Sequence, residues 1–467
     1  MNGLERIVES IVSFVNGVLW DYVLIIGLVG IGIFLSISLG FLQVKRFGKA
    51  AKKVFGGVFN KEESKEGSMS SFQALATSIA AQIGTGNVAG VATAIATGGP
   101  GAVFWMWISA FFGMATMFVE ATLAQKYRER DDDGQLVGGP AYYIKNGLKS
   151  NGLASFFAIA LIIALGFIGN MVQSNSIADA ISRAFNVPNV AVGIAIAIIA
   201  GLIFIGGMKR IAKFAELVVP VMAAVYILGT IVVVILFRGN IIPTLKAIFI
   251  GAFNPQAVLG GAVGVGIKQA VRYGVARGLF SNEAGMGSTP NSHAVADVDH
   301  PVEQGLSSMI AVFIDTILVC TVTALVILTT GADKSGLAGV AITQEGFNIA
   351  FGAIGQKFLA ICLTFFAFTT VVGWYYFGEN NIRFLFKGKT AIRVYQIIVL
   401  IFIVLGSYQK VDLVWSLADM FNGIMVIPNL IALFLLFRES KNMLMDYDNQ
   451  LARGEKLHYN YEFEKTK

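Results

Sequence analysis

Apolar runs of about twenty residues, parted by short polar or Gly/Pro-rich stretches, recur from one end of the chain to the other. At about 1.5 Å of rise per residue, such a run wound as a helix crosses a hydrocarbon layer of about 30 Å. The runs predict eleven transmembrane helices, near residues 20–43, 71–97, 100–125, 152–182, 187–207, 211–237, 254–280, 304–330, 347–377, 391–407 and 411–437. Ahead of them, residues 1–19 mix Glu5, Arg6 and Glu9 into an apolar pattern. That pattern suits an amphipathic segment lying on the membrane surface better than a cleavable targeting peptide. The expected fold class is an all-α polytopic membrane protein, because helices satisfy their own backbone polar groups in lipid.

Setting the 20–43 helix aside as peripheral leaves ten, which divide into two fives, 71–237 and 254–437, with a cytoplasmic tail at 438–467. Two consecutive fives necessarily cross the membrane in opposite directions. The first helix of each five carries an interruption: Gln82, Ile83, Gly84, Thr85, Gly86 and Asn87 in one, Gly264, Val265, Gly266, Ile267, Lys268 and Gln269 in the other. Broken helices at matching places point to a 5+5 inverted-repeat transporter with its site near the midplane. The match is one of hydropathy and position, without residue-level repetition.

Composition narrows the function classes. Of 467 residues, 55% are hydrophobic and 14% charged, against roughly 25% charged in soluble domains, which excludes an ordinary soluble enzyme. The two cysteines, Cys320 and Cys362, sit in apolar runs, and the three histidines are scattered. Neither a disulfide framework, a metal cluster nor a nucleophile–base pair is offered, so no enzymatic activity is expected. Most Lys and Arg fall in alternate loops, such as Lys45–Lys53, Lys126–Arg130, Lys209–Lys213, Arg383–Lys389 and Arg438–Lys441, whereas the other set holds only Arg6, Arg183, Arg238, Lys246, Lys334, Lys357 and Lys410. Positive loops stay cytoplasmic, so the expected topology is multi-pass in the cell membrane with the amino terminus outside and the carboxyl terminus inside. A basic rim beside anionic lipid accounts for the net charge of +6 without a nucleic-acid partner.

Unwinding a membrane helix frees backbone groups that hydrocarbon cannot satisfy, so a break must face protein, water, an ion or a substrate. Amides at a half-helix amino terminus favour a carboxylate, and freed carbonyls suit a hard cation such as sodium. An amino-acid zwitterion with a cation answers both. The competing role for Gly84, Gly86 and Gly90 is close helix approach.

Two further segments carry a resemblance. GGPGAVFWMWISAFFG, Gly98 to Gly113, and RGLFSNEAGMGS, Arg277 to Ser288, resemble signature blocks of the alanine or glycine:cation symporters, a likeness that spans essentially the whole chain. It implies the inverted-repeat fold shared with the neurotransmitter:sodium symporters, co-transported sodium and a small neutral amino acid, alanine or glycine, as substrate. Gly84-Thr85-Gly86-Asn87 matches a G-x-G-N string in the first broken helix of that fold. By this resemblance the amides of Thr85 and Gly86 hold the substrate carboxylate. Carbonyls of Ala80, Ile83 and Phe366 with the hydroxyls of Thr369 and Thr370 hold sodium, and Trp374 limits the pocket to small side chains. The alternatives are threonines bonded to their own helix and a tryptophan that only packs. Gln82 and Asn170 depart from the neurotransmitter symporters; they either contact the zwitterion, or Asn170 and Gln173 make interhelical hydrogen bonds. The departure puts in doubt a second sodium site using Gln82 and Asn87.

In the second break, Gly266 is a candidate substrate contact, and Tyr273 one that closes the pocket from the cytoplasmic side. Asp315 lies mid-helix, where a lone carboxylate is costly; it is either a proton or cation site or a hydrogen-bonded structural group. Glu120, Asp179, Glu216 and Asp419, nearer helix ends, need only snorkelling or a partner, and His293 lacks metal-ligand spacing. The expected function is sodium-coupled symport of alanine or glycine by alternating access, with proton coupling through Asp315 as the alternative. The lipid bilayer is the remaining partner, and no obligatory protein partner is implied.

Overall fold

The computed structural model describes residues 3–57, 67–254, 266–386 and 388–461. Among them, eight helices are long and apolar enough to cross a membrane: Ser10–Ser38, Ala102–Lys126, Asn151–Phe185, Gly207–Leu236, Pro301–Thr330, Ala353–Leu385, Lys389–Ser407 and Val411–Ala452, with Ala89–Gly98 and Asn189–Phe204 apolar but shorter. The chain is an all-α polytopic membrane protein.

Several boundaries differ from expectation for local reasons. Helix Gly3–Val18 is not a separate surface segment; it winds through a π-helical turn, Leu19–Val23, straight into Leu24–Ser38. Asn16 and Trp20 tie it to the last helix by donating to the carbonyls of Ser416 and Asp419, at 2.9 and 3.1 Å. The last helix runs on to Ala452, well past residue 437, because its polar end is held by ion pairs. Two connecting helices, Ile241–Phe253 and Val340–Phe351, lie largely outside the expected spans.

The first helix break falls as expected, between Ser71–Gln82 and Ala89–Gly98. Residues 255–265, with Gly264 and Val265 of the second expected break, lie outside the described residues. Ile267, Lys268 and Gln269 form the regular first turn of helix Ile267–Asn282, started by the Gln269 side chain accepting the Gly266 N–H at 3.2 Å. Gly266 itself is extended (ψ 163°), and regular winding is lost also at the other end of this helix. Glu283 is left-handed (φ 58°), Gly285 and Gly287 follow at φ +86° and +79°, and only the short helix Pro290–His293 resumes. Positive φ at Gly285 and Gly287 costs little for glycine and much for any other residue.

Helix Ser71–Gln82 packs against Gly207–Leu236 and Ala353–Leu385, while Ala89–Gly98 packs against Ile267–Asn282. Met69–Ser70 and Ala296–Asp297 form a two-residue parallel bridge below them. Two further π-helical stretches, Ile162–Gly169 and Phe313–Cys320, hold or adjoin Asn170 and Asp315. Such bulges turn a side chain off the regular helix face and concentrate at functional positions.

The basic loops meet at one end of the bundle, through Arg46–Asp448 at 2.5 Å, Lys126–Glu439 at 2.9 Å, Arg383–Asp131 at 3.1 Å and Lys53–Glu303. The other end carries Arg272–Asp21 at 2.6 Å and Arg277–Asp419 at 2.6 Å. Asp419 and Asp448 share one helix, and at about 1.5 Å per residue they stand roughly 40 Å apart.

Candidate functional site where two helix breaks meet

A capping box starts helix Ser71–Gln82: Ser70 accepts from the Gln73 N–H while the Gln73 side chain accepts from the Ser70 N–H. Winding stops where Ile83 turns extended (ψ 92°) and Gly84 takes φ −141°, ψ −143°; a 3-10 turn, Thr85–Asn87, follows before the helix resumes. Gly84 is required for space, since a Cβ there would run into the Thr370 hydroxyl and come within 3.1 Å of Gln173 Oε1.

The side chains of the first break connect it to the second. Asn87 Oδ1 accepts the Gly84 N–H at 2.9 Å, and its Nδ2 donates to Asp315 Oδ1 at 2.7 Å. The same carboxylate oxygen accepts from the Ser281 hydroxyl at 3.1 Å, and Thr316 donates to the other at 2.7 Å. Gln82 Nε2 donates to the Asn282 carbonyl at 2.7 Å. Gly86 lies so close that a Cβ would stand 2.9 Å from Ser281 Cα. Ser281 and Asn282 are the last residues of the second broken helix, so the two interruptions face one another across a polar seam.

Of the five expected sodium ligands, Ala80, Ile83, Phe366 and Thr370 converge, whereas the Thr369 hydroxyl bonds its own helix at Phe366 and faces Met222. Thr370 Oγ1 lies 3.0 Å from the Ala80 carbonyl, 3.4 Å from Ile83 and 3.1 Å from Phe366, and Thr369 Oγ1 lies 2.8 Å from Phe366. One hydroxyl has one proton to give, and the Phe366 carbonyl is served by Thr369 within its own helix, so the Ala80 and Ile83 carbonyls at the broken end keep surplus acceptor capacity in a buried place. Surplus oxygens of this kind suit a hard cation.

Of the expected substrate contacts, the break residues Gln82, Gly84, Thr85 and Gly86 stand at the seam. The Thr85 N–H donates to Gln173 Oε1 at 3.2 Å, so that amide already serves an acceptor. Asn170 Nδ2 donates to its own helix at Gly166, 3.0 Å away. Gln82 Oε1, Thr85 Oγ1 and Asn170 Oδ1 are buried without a partner among the described residues. Trp374 is fully buried: Gly169 backs its ring, Phe280 meets it edge-on at 5.9 Å, and its Nε1 donates to Glu283 Oε1 at 2.5 Å.

Gly266 and Tyr273 are not at this place. Gly266 is exposed at the start of its helix. Tyr273 lines a cavity of about 400 Å³ with Trp20, Arg277, Asp412 and Asp419, at the end opposite the basic loops. Tyr273 precedes Glu283 by ten residues of mostly helical chain, about 15 Å at 1.5 Å per residue, so it cannot close the seam from the basic side. Lys268 points to Asp21, 3.3 Å away.

Glu120 has the partners that its place in a membrane helix calls for. It is fully buried, and its carboxylate accepts the N–H groups of Gly285 and Gly287 at 3.0 and 2.9 Å and the Asn429 amide at 2.6 Å. It thereby holds the second break open. Glu283, which bonds Trp374 and Ser288, is a site residue that sequence reasoning passed over. The Gly-x-Gly spacing after Asn282 and Glu283 was the signal available.

Residues 5–461 match the sequence model of the sodium:alanine symporter family. The chain belongs to this family. Similar members include a sodium/alanine symporter, AgcS, of Methanococcus maripaludis, 44% identical over 91% of this chain and 94% of that protein. A probable sodium/glutamine symporter, GlnT, of Bacillus subtilis is 44% identical over 97% and 93%. A putative sodium/proton-dependent alanine carrier, YrbD, of the same organism is 42% identical over 95% and 93%. Among solved structures, a manganese transporter of Eremococcus coleocola aligns with TM-score 0.51 over 84% of this chain and 81% of that one, at 14% identity, a likeness of fold. Family and relatives are transporters of amino acids with cations, not enzymes.

Proposed function

We propose that this chain is a sodium-coupled symporter of alanine or glycine. The observation that carries the proposal is the convergence of the Ala80, Ile83 and Phe366 carbonyls on the Thr370 hydroxyl at the flank of the first break, with the Thr369 hydroxyl one residue away on the same Phe366 carbonyl. Sodium seated there fixes the geometry of Ile83 and Gly84, and so aims the amide of Gly86, and that of Thr85 when the substrate carboxylate displaces Gln173 Oε1 from it, at the substrate. Linkage makes the effect mutual: bound amino acid raises sodium affinity by the same factor. The buried indole of Trp374, backed by Gly169 and edged by Phe280, favours a small side chain over one the size of glutamine.

Alternating access in this proposal is a rocking of two five-helix repeats of opposite orientation about the paired breaks. The basic end faces the cytoplasm, with the amino terminus outside. Inward movement of each positive charge gains about 2.3 kcal/mol per 100 mV. A second reading, proton coupling, is favoured by one observation: Asp315 is buried and surrounded by the donors of Asn87, Ser281 and Thr316, with no cationic partner among the described residues. Radiolabelled alanine and glycine uptake into proteoliposomes under sodium, proton and null gradients separates the two. Uptake that needs sodium supports the first; full uptake on a proton gradient in choline supports the second.

A further inference from the structure

The last membrane helix carries a polar side chain that no described residue satisfies. Asn422 is 2% exposed, and neither its Nδ2 nor its Oδ1 has a partner among the described residues. An amide offers two donor protons and an acceptor oxygen, and leaving them unmet inside a membrane protein is costly. Asparagine persists there at a disadvantage unless something absent from the bare chain completes its bonds.

The position of Asn422 indicates what that is. At 3.6 residues per turn, Trp415, Asp419, Asn422 and Asn429 fall on one face of helix Val411–Ala452. The other three all reach the second broken helix or its break. Trp415 packs on Phe280 with ring centres 4.9 Å apart, Asp419 takes both Arg277 terminal nitrogens at 2.8 and 2.6 Å, and Asn429 donates to the Gly285 carbonyl at 2.9 Å. Asn422 lies between Asp419 and Asn429, and so at a level of the partner helix between Arg277 and Gly285, in its last turns before the break. The adjacent Gly423 turns elsewhere: a Cβ there would meet Leu19 and Leu24. Phe280 in turn edges on Trp374, which places the Asn422 face on the side of the seam bounded by the indole.

We propose that Asn422 is a polar contact for the bound amino acid, supplied by the last helix, with its Nδ2 donating to the carboxylate and its Oδ1 accepting from the ammonium group. The assignment rests on the symport proposal above, and it accounts for an orphaned amide with both a donor and an acceptor to fill. A zwitterion presents both complements within a few ångströms; a cation alone leaves the Nδ2 protons unmet.

The test uses the full chain, purified and reconstituted, as wild type, Asn422→Leu and Asn422→Ala. In each, the KM for alanine, the sodium half-saturation and the melting temperature with and without alanine are measured. Both variants are expected to raise the KM about tenfold or more and to lose most of the alanine-induced rise in melting temperature. Asn422→Leu is expected to melt no lower than wild type without substrate, because it removes an unmet polar group from a buried place. A KM unchanged in both variants overturns the assignment and leaves a water as the amide's partner. A fall in melting temperature with the alanine KM retained in whichever variant folds overturns it too, in favour of a packing role. A wild type without saturable alanine uptake overturns the symport proposal and this assignment with it.

Discussion

Thr370→Val tests the ion site at a single atom. Valine keeps the shape of threonine and removes only the hydroxyl, which lies 3.0, 3.1 and 3.4 Å from the carbonyl oxygens of Ala80, Phe366 and Ile83. Without sodium, that hydroxyl satisfies one carbonyl at a time, so its loss costs about 1 kcal/mol of stability and the transporter still folds. With sodium, the oxygen faces a full charge, an interaction worth about 1.5–3 kcal/mol. At about 1.4 kcal/mol per factor of ten, the sodium half-saturation for alanine uptake should rise roughly 10- to 100-fold. Uptake into proteoliposomes is measured at fixed alanine over a range of sodium, with choline keeping ionic strength constant. Thr370→Ser, which restores the oxygen, should recover most of the loss. A Thr370→Val protein that transports alanine with a sodium half-saturation within twofold of wild type would refute the ion's placement here.

Gly86→Ala places a Cβ 2.9 Å from Ser281 Cα, a backbone atom that cannot swing aside, so it should cost about 1–3 kcal/mol as an overpacked contact and abolish most uptake; near-normal transport would show that the breaks need not touch. Trp374→Phe removes the bond to Glu283 and trims the pocket wall, and should raise the alanine KM while letting glutamine compete; unchanged competition by glutamine would remove Trp374 from the pocket. At the basic end, burial lowers the proton affinity of His300 more than the neighbouring Asp446, 3.2 Å away, and Glu303 raise it. The unfolded chain then binds protons better than the folded one, so stability is full above the ordinary imidazole range and falls as pH drops through about 6.5. His300→Gln should reduce the loss of melting temperature between pH 7.5 and pH 5.5, and an equal loss in both proteins would contradict this.

The parts of the site legible in the sequence were those that announce themselves within a few residues. Gln82 to Asn87 interrupt an apolar run with glycine and polar side chains together, and the interruption is where the helix comes apart. The second break was not readable in the same way. Gly264 lies outside the described residues, and from Ile267 to Asn282 the helix is regular, started by Gln269 at the extended Gly266. The loss of winding after Asn282 depends on support from elsewhere: Glu120 and Asn429 catch the freed Gly285 and Gly287 groups. Those two residues lie well over a hundred positions from the break and belong to separate helices. Glu120 called for snorkelling or a partner by its place in the helix, and only tertiary packing shows which partners it has. Asn422 carries no motif, and its unmet amide becomes visible only once the helix face is assigned.

A structure determined with sodium and alanine tests the convergence of the two breaks most directly. The result expected is an ion among the carbonyls of Ala80, Ile83 and Phe366 and the hydroxyls of Thr369 and Thr370, with alanine beside it, its carboxylate at the Thr85 and Gly86 amides and its methyl group toward Trp374. Alanine bound away from both breaks, or an uninterrupted helix from Ala80 to Gly90 when substrate is present, would contradict it.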